Sequence, residues 1–350
     1  MKKKCLLHKN GGDRMNGRVE NDLKIFKNIE EQLINYPEYV IDWYYYLKAN
    51  DQSATTCRDY MRKIKGFLSF VKQDMVNVQL IDINEDIIIK YFISIKYKDD
   101  GSETSISYKQ CVWSCLNNFF GFLYKRKMIK ENYFELAGIE RPRGNDLEEI
   151  NKKRKLLTQD DFKNILHVID TGVGSNKAKG YQKTFRNRDK AIFMIFMTTG
   201  MRKTALEEIN VTDLDLDNNT LYTIDKGHRS FTYYLTDDVV SVLKDWLLDR
   251  YFVLGKKDDG ALFVSKERRR MSGNSITKLV DKYAYAALGY HISPHKLRSG
   301  LVSILYEEKH DIEYVRRVIG HRNITTTQRY IVTNNRERKD AANIISSILS

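Results

Sequence analysis

Apolar side chains recur every three or four positions along most of the first 140 residues, the spacing that lines one face of an α-helix. Ile25, Ile29 and Leu33 form one stripe; Tyr39, Val40, Trp43, Tyr46 and Leu47 a second; Tyr60, Ile64, Phe67, Leu68 and Val71 a third. Ser53-Ala54-Thr55-Thr56 offers hydroxyls where the third helix needs an N-cap. Two more helices are predicted from Ile87 to Tyr97 and from Ser105 to Lys125, the latter with Tyr108, Val112, Cys115, Leu116, Phe119, Phe122 and Leu123 on one side. The pattern predicts a compact all-helical domain over residues 22–140. Residues 1–21 are polar and contain glycines, so they read as a mobile tail, with Lys2-Lys3-Lys4 as a solvated terminus.

The pattern breaks at residues 141–155 (RPRGNDLEEINKKRK), a linker by its proline, glycine and mixed charges. A second domain is expected over 156–335. Thr158-Gln159-Asp160-Asp161 looks like a helix start, and Phe162, Ile165 and Leu166 supply its apolar face. Residues 171–185 (TGVGSNKAKGYQKTF) read as a Gly-rich, basic surface loop that fits no Walker or Rossmann spacing. From Arg188 to Thr199 the chain is a strongly apolar helix that stops at Gly200. Asp213 to Leu235 alternates as a small antiparallel sheet, with turns at Asp217-Asn218-Asn219 and Lys226-Gly227-His228; the aspartates of 213–217 read as capping and solvating that hairpin. Helices follow from Val239 to Leu254 and from Ile276 to Leu288, separated by a charged loop. In that loop Lys266 to Arg270 admits two readings, a grip on backbone phosphates or a solvated run. The fold class predicted is mainly α with a small antiparallel β-sheet. A last apolar stripe (Ala342, Ile345 and Leu349, with Ile344 and Ile348 beside them) lies in a C-terminal tail helix over 336–350 that is too short to be stable alone.

Charge sharpens this division. The 350-residue chain has a formal net charge of +13. Residues 1–150 carry 24 Lys+Arg against 22 Asp+Glu, and residues 151–350 carry 35 against 24, so the second part holds +11 of the excess. A basic domain fits a polyanion such as DNA, although charge alone also fits RNA or an anionic membrane surface. With no apolar run of about eighteen residues and no secretory pattern, the expectation is a soluble, cytoplasmic protein. The four cysteines show no zinc-ligand spacing; Cys111 and Cys115 read as small buried residues on one helix. No carboxylate cluster suggests two-metal catalysis, so no divalent metal and no ATP are expected.

The candidate chemistry lies between Ser293 and Tyr330. His295 and Arg298 are three apart and share a helix face. A guanidinium fork matches a phosphate oxygen pair, and an imidazole beside it exchanges protons near neutral pH, so phosphate is the natural ligand. His321 follows Gly320 at a helix end, because Ile312, Val315, Val318 and Ile319 fall at helical spacing and Gly320 is a stop signal. Tyr330 comes nine residues later, behind Thr325-Thr326-Thr327, and a tyrosine there is either a core residue or a nucleophile.

The runs HKLRSG, VIGH and TTQRY together resemble the C-terminal signature of the tyrosine recombinase/phage integrase family. Two upstream parts that the resemblance asks for are present: Thr199-Gly200-Met201-Arg202, a TG-x-R turn, and Lys226 in a β-hairpin. The resemblance implies a catalytic set of Arg202, Lys226, His295, Arg298, His321 and Tyr330, with Tyr330 the nucleophile that forms a 3′-phosphotyrosyl bond. It further implies that Arg202 and Arg298 clamp the phosphate, that Lys226 is the general acid on a hairpin entering the minor groove, that His295 is the general base and that His321 hydrogen-bonds the phosphate.

Residues 22–140 would be the SAM-like core-binding domain, 156–335 the catalytic domain, and the partner a specific double-stranded DNA site. Four protomers on two duplexes are implied, joined through the 336–350 tail docking on a neighbour, although that tail can equally pack on its own domain; an accessory factor and association with the nucleoid also fit. Relatives usually carry a Glu where this chain has Ala205, which leaves Glu208 as a candidate to orient Arg202, and many carry a second His where this chain has Ser299. The 21 residues before the first helix leave no room for a separate arm-site domain unless Leu23 to Leu33 belongs to one. The leading reading is a site-specific recombinase that integrates, excises or resolves a mobile element or replicon. The alternatives are a catalytically inactive DNA-binding protein of the same fold and a type IB topoisomerase-like nicking-closing enzyme.

Overall fold

The structure is a computed structural model that describes residues 17–144, 156–225, 229–255, 258–320 and 327. Its chain forms two compact units, the first spanning Val19–Asn145 and the second built mainly from the chain that follows.

The first unit is helical. Helices α1 (Gly17–Glu30), α2 (Glu38–Ala49), α3 (Ala54–Val71), α4 (Glu85–Ser94), α5 (Ile106–Lys125) and the one-turn α6 (Tyr133–Leu136) surround an aromatic core. Trp43, Tyr44, Phe67, Phe119 and Phe120 are buried, and Trp43 meets Phe119 edge-on at 5.0 Å while stacking on Tyr60 at 5.9 Å. Side-chain caps set the helix starts. Ser53 accepts from the Thr56 amide, Asn84 from Ile87 and Ser105 from Tyr108, each satisfying an amide that the first turn leaves orphaned.

Two expectations shift here. The first helix begins at Gly17, inside the stretch read as a tail. The fourth ends at Ser94 rather than Tyr97, because Tyr97 leaves the helix to bridge Glu103 as an isolated β-pair.

In the second unit, α7 (Gln159–Thr171) starts with a capping box between Thr158 and Asp161, as the sequence pattern predicts. The loop expected over 171–185 contains a helix, α8 (Asn176–Thr184). Ser175 caps its first turn, and the Gln182 side-chain amide reaches back to both the N–H and the carbonyl of Val173, at 3.0 and 2.7 Å. Those bonds offset the helix-weakening Gly180.

Helix α9 (Arg186–Thr199) is the centre of the unit: Ala191, Ile192, Phe193, Ile195 and Phe196 are all fully buried, and a narrow edge through Asn187, Lys190, Met194 and Thr198 meets solvent. It ends where Gly200 turns left-handed at φ 59° and returns its N–H to Phe196. Short helix α10 (Lys203–Glu208) then leads into a three-stranded antiparallel sheet in the order β1 (Leu214–Asp215), β2 (Thr220–Asp225), β3 (Arg229–Tyr234). The turn between β1 and β2 is held by Asp215, whose carboxylate accepts from the backbone of Asp217 and Asn218 and from the Asn218 side chain. Helices α11 (Asp237–Leu254), α12 (Gly273–Leu288), α13 (Pro294–Lys309) and α14 (Ile312–Ile319) complete the unit. The fold is thus mainly α with one small antiparallel sheet. Among the described residues, no helix is long and apolar enough to cross a membrane.

Candidate active site

The site gathers at the C-terminal end of α9. Thr199 closes that helix by donating its hydroxyl to Ile195 and accepting from the Met201 amide, and buried Met201 anchors the next residue. Arg202 follows as the N-cap of α10, half-buried, with extended backbone angles. Ala205, where a Glu was expected from the family pattern, points into the core, and Glu208 is buried in the last turn of the same helix.

Arg298 lies in the second turn of α13 and is 2% exposed. It donates from Nη1 to the Gly200 carbonyl and from Nη2 to the Ile319 carbonyl at 3.0 Å. Those carbonyls lie two residues before Arg202 and two before His321. One guanidinium therefore ties together the segments that lead into both.

The approach is close enough to require glycine at 200. A Cβ there would stand 2.8 Å from Ile319 Cδ1 and 3.1 Å from Leu301 Cδ2, and the left-handed φ adds strain for any other residue. His295 lies one turn before Arg298 and is exposed, so the histidine meets solvent where the arginine is sunk.

The remaining members are approached through their neighbours. Lys226, His321, Tyr330 and the 336–350 tail lie outside the described residues. Gly320, immediately before His321, ends α14 with φ 72° and lies against the Phe231 ring, which a Cβ would meet at 3.2 Å. Phe231 on β3 pairs with Thr223 on β2, three residues before Lys226. Thr327, three residues before Tyr330, is fully buried. The described residues thus bring together Arg298, the turn into Arg202, the helix end before His321 and the strand pair that leads to Lys226.

Two groups near this framework escaped the sequence reading. Arg270 is not part of a solvated run; its guanidinium binds the end of α10. At the other end of α9, Arg188 donates to Asp189 through Nε and Nη2, at 2.8 and 2.7 Å, and to the Val264 carbonyl through Nη1, at 2.8 Å. Asp189 also accepts from the Tyr283 hydroxyl at 2.8 Å; burial, followed by the nearby carboxylate, drives the Tyr283 pKa well above its ordinary value. An Arg-Asp pair opening a strongly apolar helix was the available signal, because charges at such a depth need partners. Among the described residues, no three His, Cys, Asp or Glu side chains are grouped so as to hold a metal ion.

Known proteins place this architecture. By structure the chain is similar to the XerH site-specific recombinase in its post-cleavage complex with palindromic difH substrate, with a TM-score of 0.62, 21% identity and coverage of 85% of this chain and 82% of that one. It is also similar to the lambda integrase tetramer bound to a Holliday junction, with a TM-score of 0.57, 18% identity and coverage of 89% and 84%. By sequence it is similar to tyrosine recombinase XerC of Thermodesulfovibrio yellowstonii, 27% identical over 307 residues, covering 85% of this chain and 92% of that protein.

The family match and the tyrosine recombinase relatives make this chain an enzyme that breaks and rejoins DNA. More narrowly, the chain belongs to the phage integrase family, whose model matches residues 155–337, and it is a site-specific tyrosine recombinase.

Proposed function

We propose that Tyr330 is the nucleophile of this recombinase and that Arg202, Lys226, His295, Arg298 and His321 complete its catalytic set. The observation that carries this reading is the pair of Arg298 bonds to the Gly200 and Ile319 carbonyls, which join the chain leading into Arg202 to the chain leading into His321.

The Tyr330 phenol oxygen attacks the scissile phosphorus as its proton passes to His295. The bond from phosphorus to the 5′ oxygen breaks, and Lys226 donates the proton that the leaving oxygen needs. Arg202 and Arg298 hold the two non-bridging oxygens through charge-assisted bonds as negative charge develops, and His321 adds a hydrogen bond. The 3′-phosphotyrosyl ester keeps the energy of the broken bond. Attack by a 5′ hydroxyl on that ester rejoins the strand and returns Tyr330, so the chemistry balances without ATP.

Residues 22–140 would clamp the duplex through phosphate contacts, and residues 156–335 would carry the chemistry. The partner is a specific double-stranded site. By analogy with lambda integrase, described as a tetramer on a Holliday junction, four protomers would act on two duplexes, with the 336–350 tail docked on a neighbour. An accessory factor fits the same assembly. The biological role is integration, excision or resolution of a mobile element or replicon, carried out in the cytoplasm at the nucleoid.

The test uses a nicked suicide substrate made from DNA flanking the gene. On a denaturing gel, wild type is expected to become covalently attached to DNA and Tyr330→Phe to remain unattached. Binding without trapping by either protein would replace catalysis with DNA binding alone.

A further inference from the structure

Arg270 closes a basic run, Lys266 to Arg270, in which the four residues before it are exposed. Its own side chain turns inward. Nη1 donates to the carbonyls of Glu207 at 3.1 Å and Ile209 at 3.0 Å, and Nη2 donates to Asn210 Oδ1 at 2.5 Å. Both carbonyls lie at the C-terminal end of α10, the helix that Arg202 opens.

A helix of this length has little stability of its own. Six residues form few internal bonds, and the last four carbonyls have no partner within the helix. A cation at that end supplies donors and complements the partial negative charge of the terminus. The planar fork of arginine can take carbonyls on either side of the last turn and still reach the Asn210 side chain.

The clamp is itself fixed. The Arg270 amide donates to Asp259 Oδ2 at 3.1 Å, and Val264 pairs with Arg270 as an isolated β-bridge. Asn210 is held from its other side by Asp213, which accepts the Asn210 amide at 2.8 Å. Leu262 donates to the Ile209 carbonyl at 2.9 Å, so Arg270 and the loop it leaves grip the same turn. Gly273, three residues beyond Arg270, lies flat against α10; a Cβ there would come within 2.5 Å of the Glu207 carboxylate and 3.1 Å of the Lys203 side chain. From the end that Arg270 holds, the helix spans only about 9 Å to Arg202.

We propose that Arg270 is the positioning residue of Arg202, clamping the carbonyl end of the short helix whose N-cap position presents that arginine to the scissile phosphate. The proposal rests on the catalytic role assigned to Arg202.

A double-mutant cycle on the full chain tests it. Wild type, Arg270→Ala, Arg202→Lys and the double variant are compared for single-turnover adduct formation on the suicide substrate at saturating DNA, for DNA affinity and for thermal midpoint. Arg270→Ala is expected to slow adduct formation by about tenfold or more while DNA affinity stays within about twofold, the signature of lost transition-state stabilisation. In the Arg202→Lys background the same change is expected to cost less than about threefold, because the group it positions is already gone. Arg270→Lys keeps the charge on a single donor nitrogen without the planar fork, and is expected to fold and to recover part of the rate even if the alanine variant does not fold.

Equal fold losses in the two backgrounds would overturn the proposal, as would lost DNA affinity with unchanged cleavage at saturation, which would make Arg270 a phosphate contact. Wild-type cleavage by Arg202→Lys would instead remove the catalytic reading of Arg202, and the proposal with it.

Discussion

The two units bury different kinds of side chain. Among the described residues, the first buries one polar residue, Asn132, beneath an aromatic core; the second buries eleven, including Arg188, Asp189, Glu208, Arg250 and Arg298. Burying a charge costs several kcal/mol unless bonds recover it, and an apolar core of equal volume is often as stable. The first unit is therefore built as a packed scaffold, whereas the second gives up stability to hold guanidinium groups and carbonyls at fixed places. The candidate chemistry lies at the C-terminal end of α9 and around α10, and the Arg188–Asp189 pair sits at the opposite end of α9.

Arg298→Ala removes both bonds that join Gly200 to Ile319. It is expected to cut the cleavage rate by about a thousandfold or more and to destabilise the second unit by about 3 kcal/mol, measured by suicide-substrate trapping and thermal unfolding. Asp189→Ala leaves the Arg188 charge buried without its carboxylate and is expected to cost about 3–5 kcal/mol in denaturant unfolding. Tyr283→Phe removes a single neutral donor to that carboxylate and is expected to cost about 1–2 kcal/mol. In the first unit Ser53→Ala removes only a helix cap, with an expected cost of about 1 kcal/mol and no change in the cleavage rate at saturating DNA.

Acid gives the smallest and most discriminating contrast. In the first unit the Lys48 side chain holds the Glu30 carboxyl below its ordinary 4.5, so its stabilisation is complete above pH 4.5 and drains as the pH falls through its lowered value. In the second unit burial raises the Asp213 pKa above 3.8, so its contribution is complete below pH 3.8 and is lost as the pH rises through the raised value. Unfolding curves from pH 3 to 6 are expected to shift in opposite directions for Glu30→Gln and Asp213→Asn relative to wild type.

Much of this was legible where one local rule governs. The stripes of Ile25, Ile29 and Leu33, the caps at Ser53 and Thr158, the Asp215 turn and the left-handed stops at Gly200 and Gly320 are all decided within a few residues of chain. The candidate arginines and histidines were legible as motifs, because their order and spacing are set by the fold that must gather them. What stayed hidden depends on partners far along the chain. Arg270 meets Glu207 across 63 residues and Tyr283 meets Asp189 across 94, and no periodicity encodes either. Helix α8 was hidden for a related reason: its glycine and lysines read as a loop until Gln182 is seen clamping Val173. The depth of Arg298 was hidden as well, since a phosphate-binding role suggests exposure and the fold sinks the side chain between two carbonyls.

In the proposed chemistry Tyr330 carries the covalent bond to DNA, with the arginine-centred framework behind it. The most direct measurement is mass spectrometry of the trapped complex after nuclease and protease digestion, locating the residue that carries the nucleotide. The prediction is a nucleotide on the peptide that contains Tyr330, linked through its phenol oxygen. A nucleotide on any other residue would contradict it.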